Sequence, residues 1–115
     1  MNNHVVGILG EKLAVKYLKK NGYKILENNY KNKIGEIDII CLDKISKETV
    51  FIEVKSRETL AYGLPSEAVD FKKQKKIRDV ASLYLLINKK YDDKVRFDVL
   101  EIVDKKIYNH IKYAF

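Results

Sequence analysis

The chain is poor in the residues that staple or break a fold. Its 115 residues hold one cysteine, one proline, one methionine and no tryptophan. Cys41, alone inside an apolar segment, cannot form an internal disulfide and has no partner for a thiolate metal site. Pro65 is the only strong break, and no repeat, low-complexity segment or linker divides the chain. Long apolar runs are missing too. Val5 to Leu9 is too short, and too interrupted by glycine, for a signal or a membrane span. A single domain over residues 1–115, with a modest core and a cytoplasmic setting, is the expectation.

Charge is abundant. Charged residues make up 34% of the chain, and Lys plus Arg outnumber Asp plus Glu by 23 to 16. A net charge of +7 and a pI near 9.4 favour an anionic partner, nucleic acid first and membrane surface second. A lysine-rich housekeeping domain is the plainer alternative.

Periodicity predicts a helix over residues 4–20, with Leu9, Leu13, Ala14, Tyr17 and Leu18 on one arc. Gly7 and Gly10 on that arc suggest close approach to a neighbour. Glu11 projects away from the lysine face, near Leu18. Strands follow at 23–31, 35–42 and 50–57. A loop and a helical turn at Pro65-Ser66 lead to a helix over 70–88. Strand four, 95–102, alternates until its phase slips at Leu100-Glu101, and strand five covers about 106–114. His110 reads as a surface or packing residue rather than a ligand.

Residues 35 to 57 organise the chain. Asp38 sits among Ile37, Ile39 and Ile40, and Glu53 among Phe51, Ile52 and Val54. Carboxylates in such strands cost several kcal/mol unless paired or bound to a cation. Side chains alternate along a strand, so Glu36 and Asp38 share a face, as do Phe51, Glu53, Lys55 and Arg57. A hairpin with the loop Lys44 to Lys47 sets Asp43 opposite Glu48, Asp38 opposite Glu53, and Glu36 opposite Lys55. Two facing acids call for a cation between them or a shared proton. Mg²⁺ suits carboxylate oxygens. Lys55 could then stabilise phosphate charge, or orient or deprotonate an attacking water. A Glu-x-Lys triplet alone is weak, since solvated strands often alternate these residues. The Asp in a neighbouring apolar strand and the Glu on the preceding helix make the set specific. Lys72, Lys73, Lys75, Lys76 and Arg78 form either a solvated helix face or a contact to a phosphate backbone.

Gly10-Glu11, Gly35-Glu-Ile-Asp-Ile-Ile40, Phe51-Ile-Glu-Val-Lys-Ser-Arg57, Arg96-Phe-Asp-Val99 and His110-Ile-Lys-Tyr-Ala-Phe115 together resemble the YraN-type family of small bacterial endonuclease-like proteins. That family is similar to the restriction-endonuclease-like superfamily, nearest to archaeal Holliday junction resolvases. The resemblance covers nearly the whole chain. It implies one endonuclease-like domain, an α/β fold with a central mixed five-stranded sheet flanked by helices. It also implies that Asp38 and Glu53 bind Mg²⁺ or Mn²⁺, that the Val54 carbonyl completes the metal shell, that Lys55 is the catalytic lysine and that Glu11 is the helix-borne acid. Glu36 would support them. Arg57 and the basic helix residues would contact nucleic acid, with DNA the expected polymer. Three functions stay open on these grounds: a nuclease for structured or branched DNA, a non-catalytic nucleic-acid-binding module, and an interaction adaptor in DNA repair or uptake. Resolving a junction takes two active sites, which makes a homodimer an expectation although no segment points to one.

Overall fold

The structure, a computed structural model, describes residues 3–59 and 69–115. Helix α1 (Asn3–Lys20) leads into strands β1 (Tyr23–Lys31), β2 (Glu36–Asp43) and β3 (Glu48–Arg57). Helix α2 (Phe71–Ile87), β4 (Val95–Val103) and β5 (Lys106–Ile111) follow. The five strands form one mixed sheet in the order β1-β2-β3-β4-β5. Only β3 and β4 run parallel among neighbours; the other pairs are antiparallel. A parallel pair needs a long crossover, and α2 supplies it. The turn expected at Pro65 and Ser66 lies outside the described residues.

Each helix covers its own core. Ala14 and Leu18 of α1 pack with Ile39, Cys41, Val50, Ile52, Leu100 and Ile102. Ile77, Val80, Ala81 and Tyr84 of α2 pack with Ile37, Ile40, Phe51 and Phe97. Successive residues Val50, Phe51 and Ile52 therefore go to alternate helices, and β3 is buried on both faces. Each such side chain contributes roughly 1.5–3 kcal/mol on burial. Burial also pushes the Cys41 thiol up to about 12, so it packs as an apolar group. The two glycines of α1 differ. A Cβ on Gly10 would collide with Ser56 Oγ and lie 3.0 Å from Ser56 Cβ, so α1 rests directly on β3 there. Gly7 faces open space, contrary to its place on the apolar arc.

The hairpin register is as expected at Asp43–Glu48, and the ladder runs from there to Ile39–Ile52. Its turn contains no glycine because Lys47 adopts the left-handed conformation, with φ 64°, and Asp43 Oδ1 accepts the Ile45 and Ser46 amides at 3.0 and 3.2 Å. Strand β5 stops at Ile111, short of Ala114. Tyr113 turns to φ 54°, and the Ala114 amide donates instead to the Phe97 carbonyl at 2.7 Å.

Strand β4 is buried on both faces, and its register against β5 shifts between Glu101 and Ile102, beside the slip in sequence phase at Leu100-Glu101. Arg96, Asp98 and Glu101 are all buried. Arg96 donates to Asp98 Oδ1 at 2.9 Å, to Asp43 Oδ2 and Glu48 Oε1 at 3.0 Å, and to the Tyr23 hydroxyl at 2.9 Å. His110 is a buried packing residue rather than a surface one. Its Nε2 lies 2.7 Å from Asp98 Oδ2, and its Nδ1 lies 3.0 Å from the Tyr17 hydroxyl. Tyr113 donates to Glu48 Oε2 at 2.8 Å. Burial opposes ionisation of Asp43, but hydrogen bonds from Arg96 and the Ser46 and Ile45 amides outweigh it and hold the acid at about 2.

Candidate active site

Asp38 and Glu53 come together one residue beyond the end of the β2–β3 ladder. There the Val54 amide donates to Asp38 Oδ2 at 2.8 Å, where a regular ladder would offer a main-chain oxygen. The alternation of β2 slips at the same place. Ile37 joins Ile40 in the α2-side core, whereas Ile39 and Cys41 face α1. The acids do not go to opposite faces: both line a cleft of about 620 Å³ beneath the first turns of α2. Glu53 is buried, close enough to Asp38 to feel its charge. Burial first, then the neighbouring Asp38 carboxyl, push Glu53 up to about 8, against the pull of Lys73 and Lys55.

Two amines complete the floor. Lys55 follows Glu53 on the same face of β3 and lines the cleft. Lys73 descends from α2 and sets its Nζ 3.4 Å from Glu53 Oε2. The two amines are close enough that the charge of Lys73 disfavours a second charge on Lys55. Burial, then Lys73, lowers the pKa of Lys55. Burial also opposes charge on Lys73, but Lys55, Glu53 and Asp38 leave its pKa raised. The chain places Lys73 through its cap: Asp70 at the helix N-cap accepts the Lys73 amide at 2.9 Å. Lys73 was expected only as a backbone contact. Its reach to Glu53 across the sheet face has no signature in the sequence.

The other expected residues disperse. Glu36 stands at the cleft rim, 3.7 Å from Lys31, with both side chains largely in solvent. Glu11 is not among the residues lining the cleft. It belongs to α1 and is half-buried; burial first, then the Asp38 charge, raise its pKa, while a hydrogen bond from Asn29 lowers it. Asn29, with φ 54° in β1, was not singled out in the sequence. Arg57 lines a separate cleft of about 200 Å³ with Gly10 and Ser56. The basic helix also divides. Lys72 and Lys76 line the carboxylate cleft with Lys73, whereas Lys75 pairs with Asp79 at 2.9 Å on the outer face. Arg78 stacks over Phe97, 4.6 Å from the ring centre.

No group of three or more His, Cys, Asp or Glu residues is placed to hold a metal ion among the described residues. The donors available are the Asp38 and Glu53 carboxylates and the Val54 carbonyl. Such hard oxygens suit Mg²⁺ or Mn²⁺ that keeps several waters. The place already attracts positive charge, since the Lys73 ammonium rests on Glu53. The donor set therefore fits a divalent cation held by two acids.

A mixed five-stranded sheet with a helix on each face matches the architecture of a restriction-endonuclease-like core. The chain belongs to the uncharacterised protein family UPF0102, the YraN family, which it matches over residues 10–102. It is 52% identical to a UPF0102 protein of Clostridioides difficile (strain 630), with 100% of both chains covered. It is 50% identical to one of Caldicellulosiruptor bescii, again over 100% of each chain. A relative in Caldanaerobacter subterraneus subsp. tengcongensis is 47% identical, covering 100% of this chain and 98% of its own. No helix among the described residues is long and apolar enough to cross a membrane.

Proposed function

We propose that this chain is a Mg²⁺- or Mn²⁺-dependent nuclease that hydrolyses phosphodiester bonds of structured or branched DNA. One observation carries the reading: Asp38 and Glu53 line the same lysine-walled cleft, with Lys55 beside them and the Lys73 amine 3.4 Å from Glu53. Asp38, Glu53 and the Val54 carbonyl would hold the cation, which polarises the phosphate and makes hydroxide available. Asp38 keeps its orientation through the Val54 amide. Lys55 Nζ faces the phosphate and orients the attacking water. A P–O bond forms to the water oxygen, the bond to the leaving sugar oxygen breaks, and solvent exchanges the protons. Lys72 and Lys76 on the cleft wall contact the backbone. Lys72, in the first turn of α2 beside the Asp70 cap, adds its charge to the positive end of the helix dipole, which favours an anion there.

A second reading, a nucleic-acid-binding module that retains the acids, is favoured by the Lys73–Glu53 pair, which makes the site tolerable without a metal. Cleavage of labelled four-way junction, flap and linear duplex with Mg²⁺ or Mn²⁺ separates the two. Cutting by the wild type, absent in Glu53→Gln and Lys55→Ala, supports the nuclease. Salt-sensitive binding without cutting supports the module. No binding to DNA or RNA defeats both and leaves an adaptor.

A further inference from the structure

Lys73 differs from the other lysines of the cleft. Its Nζ lies 3.4 Å from a buried carboxylate, yet 43% of its side chain is exposed. Among the described residues, Lys72 and Lys76 line the same wall without an acidic partner. The backbone of Lys73 is fixed by the Asp70 cap, so any movement belongs to its four-carbon stem, and that stem has solvent on its outer side. With both acids ionised, the charges on the floor balance: Asp38 and Glu53 against Lys55 and Lys73. A divalent ion seated between the two acids would meet the Lys73 ammonium at close range and leave the floor with excess positive charge. The ammonium and the cation compete for the same oxygen.

We propose that Lys73 is an exchangeable counter-ion, resting on Glu53 when no metal is bound, yielding that carboxylate to a divalent cation, and turning its ammonium to a phosphate of the nucleic acid. The phosphate half rests on the nuclease reading; the cation half stands on the ion pair alone. Cation entry and phosphate contact are then linked, because the charge that leaves Glu53 is the charge that meets the substrate. A cation arriving without nucleic acid has to expel Lys73 into water. A cation arriving with it gains an anion for the displaced ammonium.

The test compares wild type, Lys73→Met and Lys72→Met by calorimetric titration with Mn²⁺ alone, then by binding of a four-way DNA junction. Lys73→Met removes the competing charge but keeps the length of the side chain. It should bind Mn²⁺ about five- to tenfold tighter than wild type, while its DNA affinity falls. Lys72→Met should lose DNA affinity and keep its Mn²⁺ affinity within about twofold. Should Lys73→Met fold poorly, Lys73→Gln retains a hydrogen-bond donor for Glu53 without the charge and replaces it. Equal or weaker Mn²⁺ binding in the Lys73 variant, unchanged DNA affinity, or no Mn²⁺ binding in either chain overturns the proposal. Cleavage by the wild type reports separately on the nuclease reading. An inert wild type whose Lys73 variant still gains Mn²⁺ affinity sinks the nuclease and leaves the counter-ion. An active wild type with no such gain does the reverse.

Discussion

Glu53 is pulled two ways: burial and Asp38 favour its proton, while Lys73 and Lys55 favour its charge. With a folded-state pKa raised from 4.5 to about 8, the native state holds more protons than the unfolded chain between those values. Stability in chelator-containing buffer should therefore fall as pH rises through that window, by a few kcal/mol at most. Thermal unfolding against pH should show the decline in wild type and a flatter profile in Glu53→Gln; equal slopes would remove Glu53 from the account. Asp38 offers a different test, because its carboxylate also takes the Val54 amide. Asp38→Asn keeps an acceptor oxygen and should stay within about 1 kcal/mol of wild type without metal. Asp38→Ala orphans the amide and should cost about 1–3 kcal/mol by denaturant unfolding. A large loss in both would mean that Asp38 is held chiefly as a structural ion-pair partner. Asp38 and Glu53 were legible in the sequence because each is an acid in an apolar strand. Lys73 was not, because a lysine on a basic helix looks the same whether it faces water or a buried carboxylate.

At the level of elements, apolar periodicity located every helix and strand among the described residues within a few positions, and the length of the polar connector set the β2–β3 register. The two glycines of α1 show where periodicity stops short: it places both on one arc but cannot say which of them meets β3. Gly10→Ala should drive α1 off Ser56 and cost about 1–3 kcal/mol. Gly7→Ala has room and should be neutral or stabilising by up to about 1 kcal/mol. Melting temperatures of the two variants check this, and equal effects would contradict the close α1–β3 contact. Strand β4 was legible only in part: its phase slip admitted a bulge or burial on both faces, but Arg96 and Asp98 alternate with Val95, Phe97 and Val99. That pattern describes a solvated face equally well when the polar side chains are buried against one another. The partners that bury them, Asp43, Glu48 and Tyr23, come from distant parts of the chain.

Across the described residues, two polar clusters stand out. At the start of β3, Arg96 ties Tyr23 of β1, Asp43 of β2 and Glu48 of β3 to Asp98 of β4, and Asp98 in turn holds His110 of β5. Arg96→Met would leave three buried acids without their shared cation and should cost about 3–5 kcal/mol in denaturant unfolding; a change below 1 kcal/mol would mean the acids find other partners. Further along β3, the Asp38–Glu53 cleft holds two neighbouring acids with lysines beside them. The first cluster is satisfied within the fold; the second still has hard oxygens and exposed lysines to offer. The most direct test of that contrast is anomalous diffraction from crystals soaked in Mn²⁺. A bound cation should give a peak in contact with both the Asp38 and Glu53 carboxylates, with Lys73 withdrawn from Glu53. A cleft that stays free of Mn²⁺ at millimolar concentration, with Lys73 still on Glu53, would contradict that expectation.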